Sequence, residues 1–378
     1  MNSLKKQSVL FCIFSLTGGG AEKLLIDILQ RIDNSCFDVD LCVLTRRNGV
    51  YFNAVPDYVK CFIYEDINSF SSKNYDVEIA FLEGPPTRLV ALHHSSAIKI
   101  AWVHTDMYIN RWTKSYYQDV FEETLCYNMM DEIIFVSHTA MQQFDRLFPE
   151  VTTKKHVIYN LFDKKSVILK SKANIPHINH EKLTLCSIGR LVPVKGYIRL
   201  IPILKKLHDD GLDFQFWIIG DGFQRNEIQN LINESNLEKV VHLQGFQKNP
   251  YPWLKKSDIF VSVSYAEGLP LVIGEALCLG KPVLATRVSG SIEILGHGKY
   301  GMLVDSNDNS IYNGLKKMMS DKSLRTTYAK QAKIGSKTEI FNIQKNMTKI
   351  YKLLSHTTST KPENFIVKHE ATSENTAI

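Results

Sequence analysis

The stretch Ser257–Gly290, SDIFVSVSYAEGLPLVIGEALCLGKPVLATRVSG, leaves few folds open to this chain. Ile259 to Val263 is a short β-branched and aromatic run, the mark of a buried strand. Gly268 punctuates a turn after it, and Pro270 suits the first position of a helix. Leu271 to Leu279 reads as that helix, with Gly280 placed to stop it at C′. Lys281-Pro282 then opens a second strand, Val283 to Thr286. Strand, loop, helix and strand in this order make the βαβ unit of a parallel sheet, with ligands expected beyond the carboxyl ends of the strands.

Two acids make this unit informative. Glu267 stands in the loop and Glu275 inside the helix. In one continuous helix that spacing would turn the second acid about 80° from the first. Because Gly268 and Pro270 delay the helix, both carboxylates can lie near its N-terminal mouth, where free N–H groups and the dipole attract anions. A ligand carrying phosphate beside hydroxyls, such as a nucleotide-sugar, suits that arrangement. A pair of surface helix acids fits the spacing as well.

The alternation of strands and helices extends through the chain. Ser8–Phe14 is a continuous apolar run of the kind buried on both faces, followed by Thr17-Gly18-Gly19-Gly20 and an amphipathic helix over Ala21–Arg31. Further strands are read at Val39–Leu44, Val77–Phe81, Ile98–Val103, Asp131–Val136 and His156–Tyr159, with a helix over Thr87–His94 and another capped by Ser137 or Thr139. Lys164 to Lys182 breaks the pattern and reads as a linker. Alternation then resumes with strands at Leu183–Ile188, Phe214–Ile219 and Val240–Leu243 and helices over Tyr197–His208 and Gln224–Ser235. After the acid-bearing unit come Met302–Val304, one helix to about Lys333 and a last helix over Asn342–Leu354. Two doubly wound α/β domains are therefore expected. Their boundaries are 1–165 for the N-terminal domain, 166–182 for the linker, 183–340 for the C-terminal domain, 341–356 for the C-terminal helix and 357–378 for a disordered tail.

Composition narrows the partners. The 378 residues carry a net charge of +6, a mild lean toward anionic ligands or an acidic membrane surface, but no long block of Lys and Arg, so no nucleic-acid partner is expected. The seven cysteines form no CxxC pair and read as reduced, largely buried thiols. No run approaches 18 apolar residues, so nothing is expected to span a membrane. The apolar N-terminus runs straight into the glycine-rich turn and reads as a strand.

Gly18-Gly19-Gly20 gives backbone N–H groups close access to a diphosphate or sugar, though an ordinary tight turn fits it nearly as well. Gly189 to Gly196, GRLVPVKG, follows a strand and sets Arg190 and Lys195 at opposite ends of a short loop. Arg suits bidentate phosphate contacts and Lys supplies a point charge. Asp38-Val39-Asp40 has a DxD spacing that could hold a metal but stands at the start of a strand, the wrong end for a site. Arg111–Tyr117 is aromatic and basic, suited to an anionic membrane surface or simply to core packing.

Arg190 with Lys195, Gly220-Asp221-Gly222, and Glu267 and Glu275 in an E-x7-E pattern together resemble the retaining glycosyltransferases of family 4. The glycine-rich first loop and Ile158-Tyr159-Asn160 add to the resemblance, which covers most of the C-terminal half. It implies the GT-B fold, α/β with two Rossmann-like doubly wound domains facing each other across a cleft. It implies transfer of a sugar, with retention, from a nucleotide-diphosphate sugar to a hydroxyl of a growing polysaccharide or lipid-linked oligosaccharide, in the cytoplasm or at the inner membrane face. In that reading Arg190 and Lys195 neutralise the diphosphate, Glu275 holds ribose hydroxyls, Glu267 contacts the donor sugar, and His104 stands beside the transferred sugar. Gly220, Gly245 and Phe246 lie near the nucleotide, Gly268, Leu269 and Pro270 line the donor, and Gly19 and Gly20 approach the phosphates or the acceptor. No metal or other cofactor is expected, because the cationic side chains stand in for one. A catalytically inactive nucleotide-sugar-binding scaffold and a sugar-nucleotide epimerase are the competing functions.

Overall fold

The computed structural model describes residues 6–45, 49–64, 73–175 and 182–355. The expected tail, 357–378, and residues 176–181 of the expected linker lie outside the described residues. Two sheets organise the chain. The first contains β1 (Gln7–Ile13), β2 (Phe37–Val43), β3 (Lys60–Ile63), β4 (Val77–Ala80), β5 (Ile98–Val103), β6 (Glu132–Phe135) and β7 (Lys154–Val157), in the order β3-β2-β1-β4-β5-β6-β7. The second contains β8 (Leu183–Ile188), β9 (Phe214–Ile219), β10 (Val241–Gly245), β11 (Ile259–Ser262), β12 (Val283–Thr286) and β13 (Met302–Val304), in the order β10-β9-β8-β11-β12-β13. Both orders reverse direction beside their first strand, which is the doubly wound topology with its switch point between β1 and β4 and between β8 and β11.

By packing, the chain divides into two compact units. One takes residues 1–102, 116–133 and 344–378, and the other residues 103–115 and 134–343. In the first, Val9 to Ile13 of β1 are fully buried and pair in parallel with β2 (Cys12 opposite Cys42) and β4 (Cys12 opposite Ala80). The C-terminal helix Ile343–Ser355 belongs to this unit: the Tyr351 hydroxyl donates to Arg31 O at 2.7 Å, and its ring stacks on Phe37.

In the second unit β8 pairs with β9 and β11, again in parallel. One face of this sheet is covered by Leu200, Ile201 and Leu204 of the helix Tyr197–Asp209, packed with Phe216, Ile218 and Val261. A separate cluster gathers Cys186, Trp217, Ile219 and Trp253, the two indoles edge to face at 5.4 Å. Burial of both faces explains why these strands read as continuous apolar runs.

Several elements depart from the reading of the sequence. Lys164–Lys170, taken as linker, is a helix: the Asp163 carboxylate caps Ser166 N at 2.9 Å, and Val167 is buried. The single helix expected before Lys333 is two, Asp308–Ser320 and Lys322–Gly335, because Asp321 ends the first and caps Leu324 N of the second. Pro270 is the N-cap of the helix Leu271–Cys278, one place before its expected position. The helix expected over Thr87–His94 runs Pro85–Leu92. Strand β3 and the helices Val120–Asn128, Tyr251–Lys256 and Ser289–Ile294 were not anticipated.

Candidate active site

The switch point of the second sheet lies between β8 and β11, and the chain places a cation beyond one strand and an acid beyond the other. After β8, Pro193–Lys195 forms a single 3₁₀ turn and Gly196 reverses the chain at φ +72° into the helix Tyr197–Asp209. A Cβ at Gly196 would fall 2.4 Å from Val263 O, so the residue must be glycine on both counts. That turn presents Lys195. After β11, the Glu267 carboxylate accepts from Lys195 Nζ at 2.6 Å and from Ser264 Oγ at 2.6 Å. Both partners of the ion pair are largely enclosed, with side-chain exposures of 22% and 11%.

The loop carrying Glu267 has five backbone acceptors engaged between Val263 and Leu269. Arg199 Nη2 donates to Val263 O and, at 3.3 Å, to Ser264 O, which also accepts from Thr286 Oγ1 at 2.6 Å. Glu267 O accepts from Gly290 N at 3.0 Å, Gly268 O from Ser137 Oγ at 2.7 Å, and Leu269 O from Asn160 Nδ2 at 2.8 Å. The Arg199 guanidinium also lies 3.8 Å over the Tyr265 ring. A segment held at five carbonyls is set before any ligand arrives, which is what electrostatic catalysis requires. Ser264, Arg199, Thr286 and Ser137 were not identified from the sequence as parts of a site. Ser137 was read only as a helix cap, and it does cap Ala140 N at 3.1 Å.

His104, at the end of β5, is brought to this loop. Its carbonyl oxygen stands 2.2 Å from where a Cβ on Gly268 would be, so the two backbones meet only because Gly268 has no side chain. Burial pushes the His104 imidazole down to about 3, and its Nε2 is buried although the residue as a whole keeps partial exposure. The ring is therefore neutral at ordinary pH. Two residues on, the buried Asp106 accepts from Ser289 Oγ and from the backbone N of Tyr108 and Ile109.

On the other side of β8 the loops are built from backbone. Gly189 N donates to Ile219 O, and Gly220 N to Gly245 O, both at 2.9 Å. A Cβ on Gly220, where φ is +141°, would fall 1.9 Å from Gly189 O, and one on Gly222 2.4 Å from Leu191 O. Gly245 closes β10 at φ +70°, and Phe246 follows it, 46% exposed. From β10 to β11 the glycine loops and the Lys195–Glu267 pair span three strand spacings, about 14 Å.

Not every residue named from the sequence joins this group by contact. Arg190 is exposed, and its side chain makes no hydrogen bond or ion pair among the described residues. Glu275 is 5% exposed, one turn into its helix, and accepts from the Tyr251 hydroxyl at 2.9 Å. Leu269 and Pro270 are buried in the held loop. Gly19 and Gly20 open the helix Gly20–Leu29 in the first unit, where the Glu22 carboxylate folds back over Gly19 in the manner of a capping box. Asp38 and Asp40 of the DxD pattern are ion-paired to Lys73, at 2.7 and 3.3 Å, and Tyr75 donates to Asp40, so the pattern is structural.

Residues 170–334 match the family described as glycosyl transferases group 1. The N-acetylgalactosamine-N,N'-diacetylbacillosaminyl-diphospho-undecaprenol 4-alpha-N-acetylgalactosaminyltransferase of Campylobacter jejuni is 33% identical over 216 residues, 57% of this chain and 58% of that protein. The chain spans about half the length of the curated relatives it matches. Among solved structures, HepE of Anabaena in complex with UDP superposes with a TM-score of 0.70 at 20% identity, covering 93% of this chain and 100% of that one. Sucrose-phosphate synthase of Thermosynechococcus elongatus reaches 0.77 at 15% identity, covering 93% and 99%. The fold is GT-B, and over residues 170–334 the chain is similar to the glycosyl transferases group 1.

Proposed function

We propose that the protein is a retaining glycosyltransferase that moves a sugar from a nucleotide-diphosphate sugar to a hydroxyl of a growing surface polysaccharide or lipid-linked oligosaccharide. The observation that carries this reading is the Lys195–Glu267 pair at 2.6 Å across the switch point, on a loop held at five of its carbonyls. Departure of the diphosphate builds negative charge on its oxygens. Lys195, the exposed Arg190 and the free N–H groups at the start of the helix Leu271–Cys278 are the groups able to meet that charge. Lys195 shares itself between phosphate and Glu267, while Glu267 accepts from hydroxyls of the donor sugar. Glu275 is assigned to the ribose hydroxyls, and neutral His104 to hydrogen bonding at the transferred sugar. Two side-chain cations at the diphosphate make a metal ion unnecessary in this scheme.

The lipid-linked acceptor is supported by the name of the Campylobacter relative, whose substrate is a diphospho-undecaprenol. Among the described residues no helix is long and apolar enough to cross a membrane, and we assign any membrane association to peripheral contact. The transferred sugar is a hexose or an N-acetylhexosamine.

The test offers UDP-, GDP- and ADP-sugars with a polyprenyl-diphosphate-linked glycan, with and without EDTA, and reads the product anomer by NMR. Transfer with retention, unaffected by EDTA and lowered about 10²–10³-fold in Lys195→Ala, is the expected result. Binding without turnover in the wild type points to a scaffold, and isomerised donor without acceptor to an epimerase. Either outcome overturns the proposal.

A further inference from the structure

The β10 end of the row of glycine loops holds a cation that the Lys195–Glu267 chemistry does not use. Arg225 opens the helix Arg225–Glu234, which follows β9. Its backbone N donates to Gly222 O at 3.0 Å, and its Nη1 stands 3.8 Å from the place a Cβ on Gly245 would take. That Nη1 is buried and meets no hydrogen-bond partner among the described residues. A buried guanidinium donor without an acceptor is costly, and its most economical explanation is a ligand that supplies one. The neighbouring surface suits a flat ring. Phe246 and Phe223, on the loops that follow β10 and β9, are 46% and 78% exposed, and aromatic faces left in water beside a nucleotide site are stacking platforms.

Guanidinium nitrogen only donates. Uracil and guanine carry exocyclic oxo oxygens, which accept. Adenine carries an exocyclic amino group instead, which would set donor against donor. Resting on the reading that a nucleotide donor lies along these loops, we propose that Arg225 is the residue that selects the donor base, hydrogen-bonding an oxo group of uracil or guanine and so disfavouring adenine. A site built around one such hydrogen bond rejects the analogue lacking it, because the buried donor is then left unpaired.

Calorimetric titration of UDP, GDP and ADP into the full chain tests this, with the wild type, Arg225→Met, which keeps the apolar stem, and Arg225→Gln, which restores a planar donor. The wild type should bind UDP or GDP about tenfold or more tighter than ADP. Arg225→Met should weaken that preferred ligand by about tenfold or more while leaving ADP within about twofold, and Arg225→Gln should recover part of the loss. Equal loss for the preferred ligand and ADP would assign Arg225 to phosphate or ribose and overturn the proposal. An unchanged affinity in Arg225→Met, or a wild type that favours ADP, would overturn it too. If the wild type binds none of the three, the donor reading itself falls and takes this proposal with it. Circular dichroism melts confirm that each variant folds.

Discussion

At the scale of single residues, His104 gives the sharpest expectation. Its folded pKa of about 3 lies below the ordinary value of 6.5, because burial disfavours the charged imidazole. As pH falls, the unfolded chain takes up the proton before the folded one does. The stability linked to this group is therefore complete above about 6.5 and is lost as pH falls toward 3, at up to about 1.4 kcal/mol per pH unit. His104→Asn removes that sensitivity. Thermal melts at pH 7.5 and 5 should show the wild type losing more stability than the variant over the interval, and parallel losses would exclude the account. Glu267 accepts from two donors, Lys195 Nζ and Ser264 Oγ, each at 2.6 Å. Glu267→Gln keeps the size but not the charge, and it should lower transfer by about 10²-fold or more while nucleotide diphosphate binding changes little.

At the scale of elements, the loop after β11 is defined by what grips it. Arg199 is the largest single grip, reaching Val263 O, Ser264 O, Ser306 Oγ at 3.0 Å and the Tyr265 ring. Arg199→Met leaves those acceptors to compete for water and should cost about 1–3 kcal/mol. The expected signature is faster amide exchange over 263–269 with the remaining strands of the sheet unchanged, and uniform loss across the unit would refute it. Gly268→Ala acts on the same loop from outside, since its Cβ meets His104 O at 2.2 Å, and activity should fall further than in Arg199→Met. Much of this element was legible in advance. The run from Ile259 to Thr286 announced strand, turn, helix and strand, and the structure sets β11, the helix Leu271–Cys278 and β12 within a residue or two of those bounds. Gly280 does stop the helix, at φ +65°. The donors that hold the loop were not legible. Arg199 and Ser137 lie far from it in sequence, and a polar residue that will bond a distant carbonyl looks like any other until the chain is folded; Asn160 is marked only by the motif Ile158-Tyr159-Asn160, which does not say what it holds. Lys164–Lys170 was missed for a local reason. Its lysines masked a short helix whose only buried side chain is Val167.

At the scale of the whole molecule, the second unit is nearly continuous in sequence, whereas the first is assembled from three separate segments, the last of them C-terminal. The first unit therefore depends on chain that is synthesised after the second unit is complete. The helix Ile343–Ser355 supplies that dependence through Met347, Ile350, Tyr351 and Leu354, all nearly inaccessible, and through the Tyr351 hydroxyl, which donates to Arg31 O and accepts from Asp33 N. Leu354 is fully buried, so Leu354→Ala removes buried apolar volume and leaves a cavity, at a cost of about 2–5 kcal/mol. Tyr351→Phe keeps the stack on Phe37 and deletes only the two hydrogen bonds, at about 1 kcal/mol for each neutral bond lost. Because the helix packs with the first unit, amide exchange in Leu354→Ala should accelerate across β1, β2 and the helix Gly20–Leu29, while β8, β9 and β11 keep wild-type protection. Equal acceleration in both sheets would mean that the two units open as one, and the C-terminal helix would then stabilise the molecule as a whole.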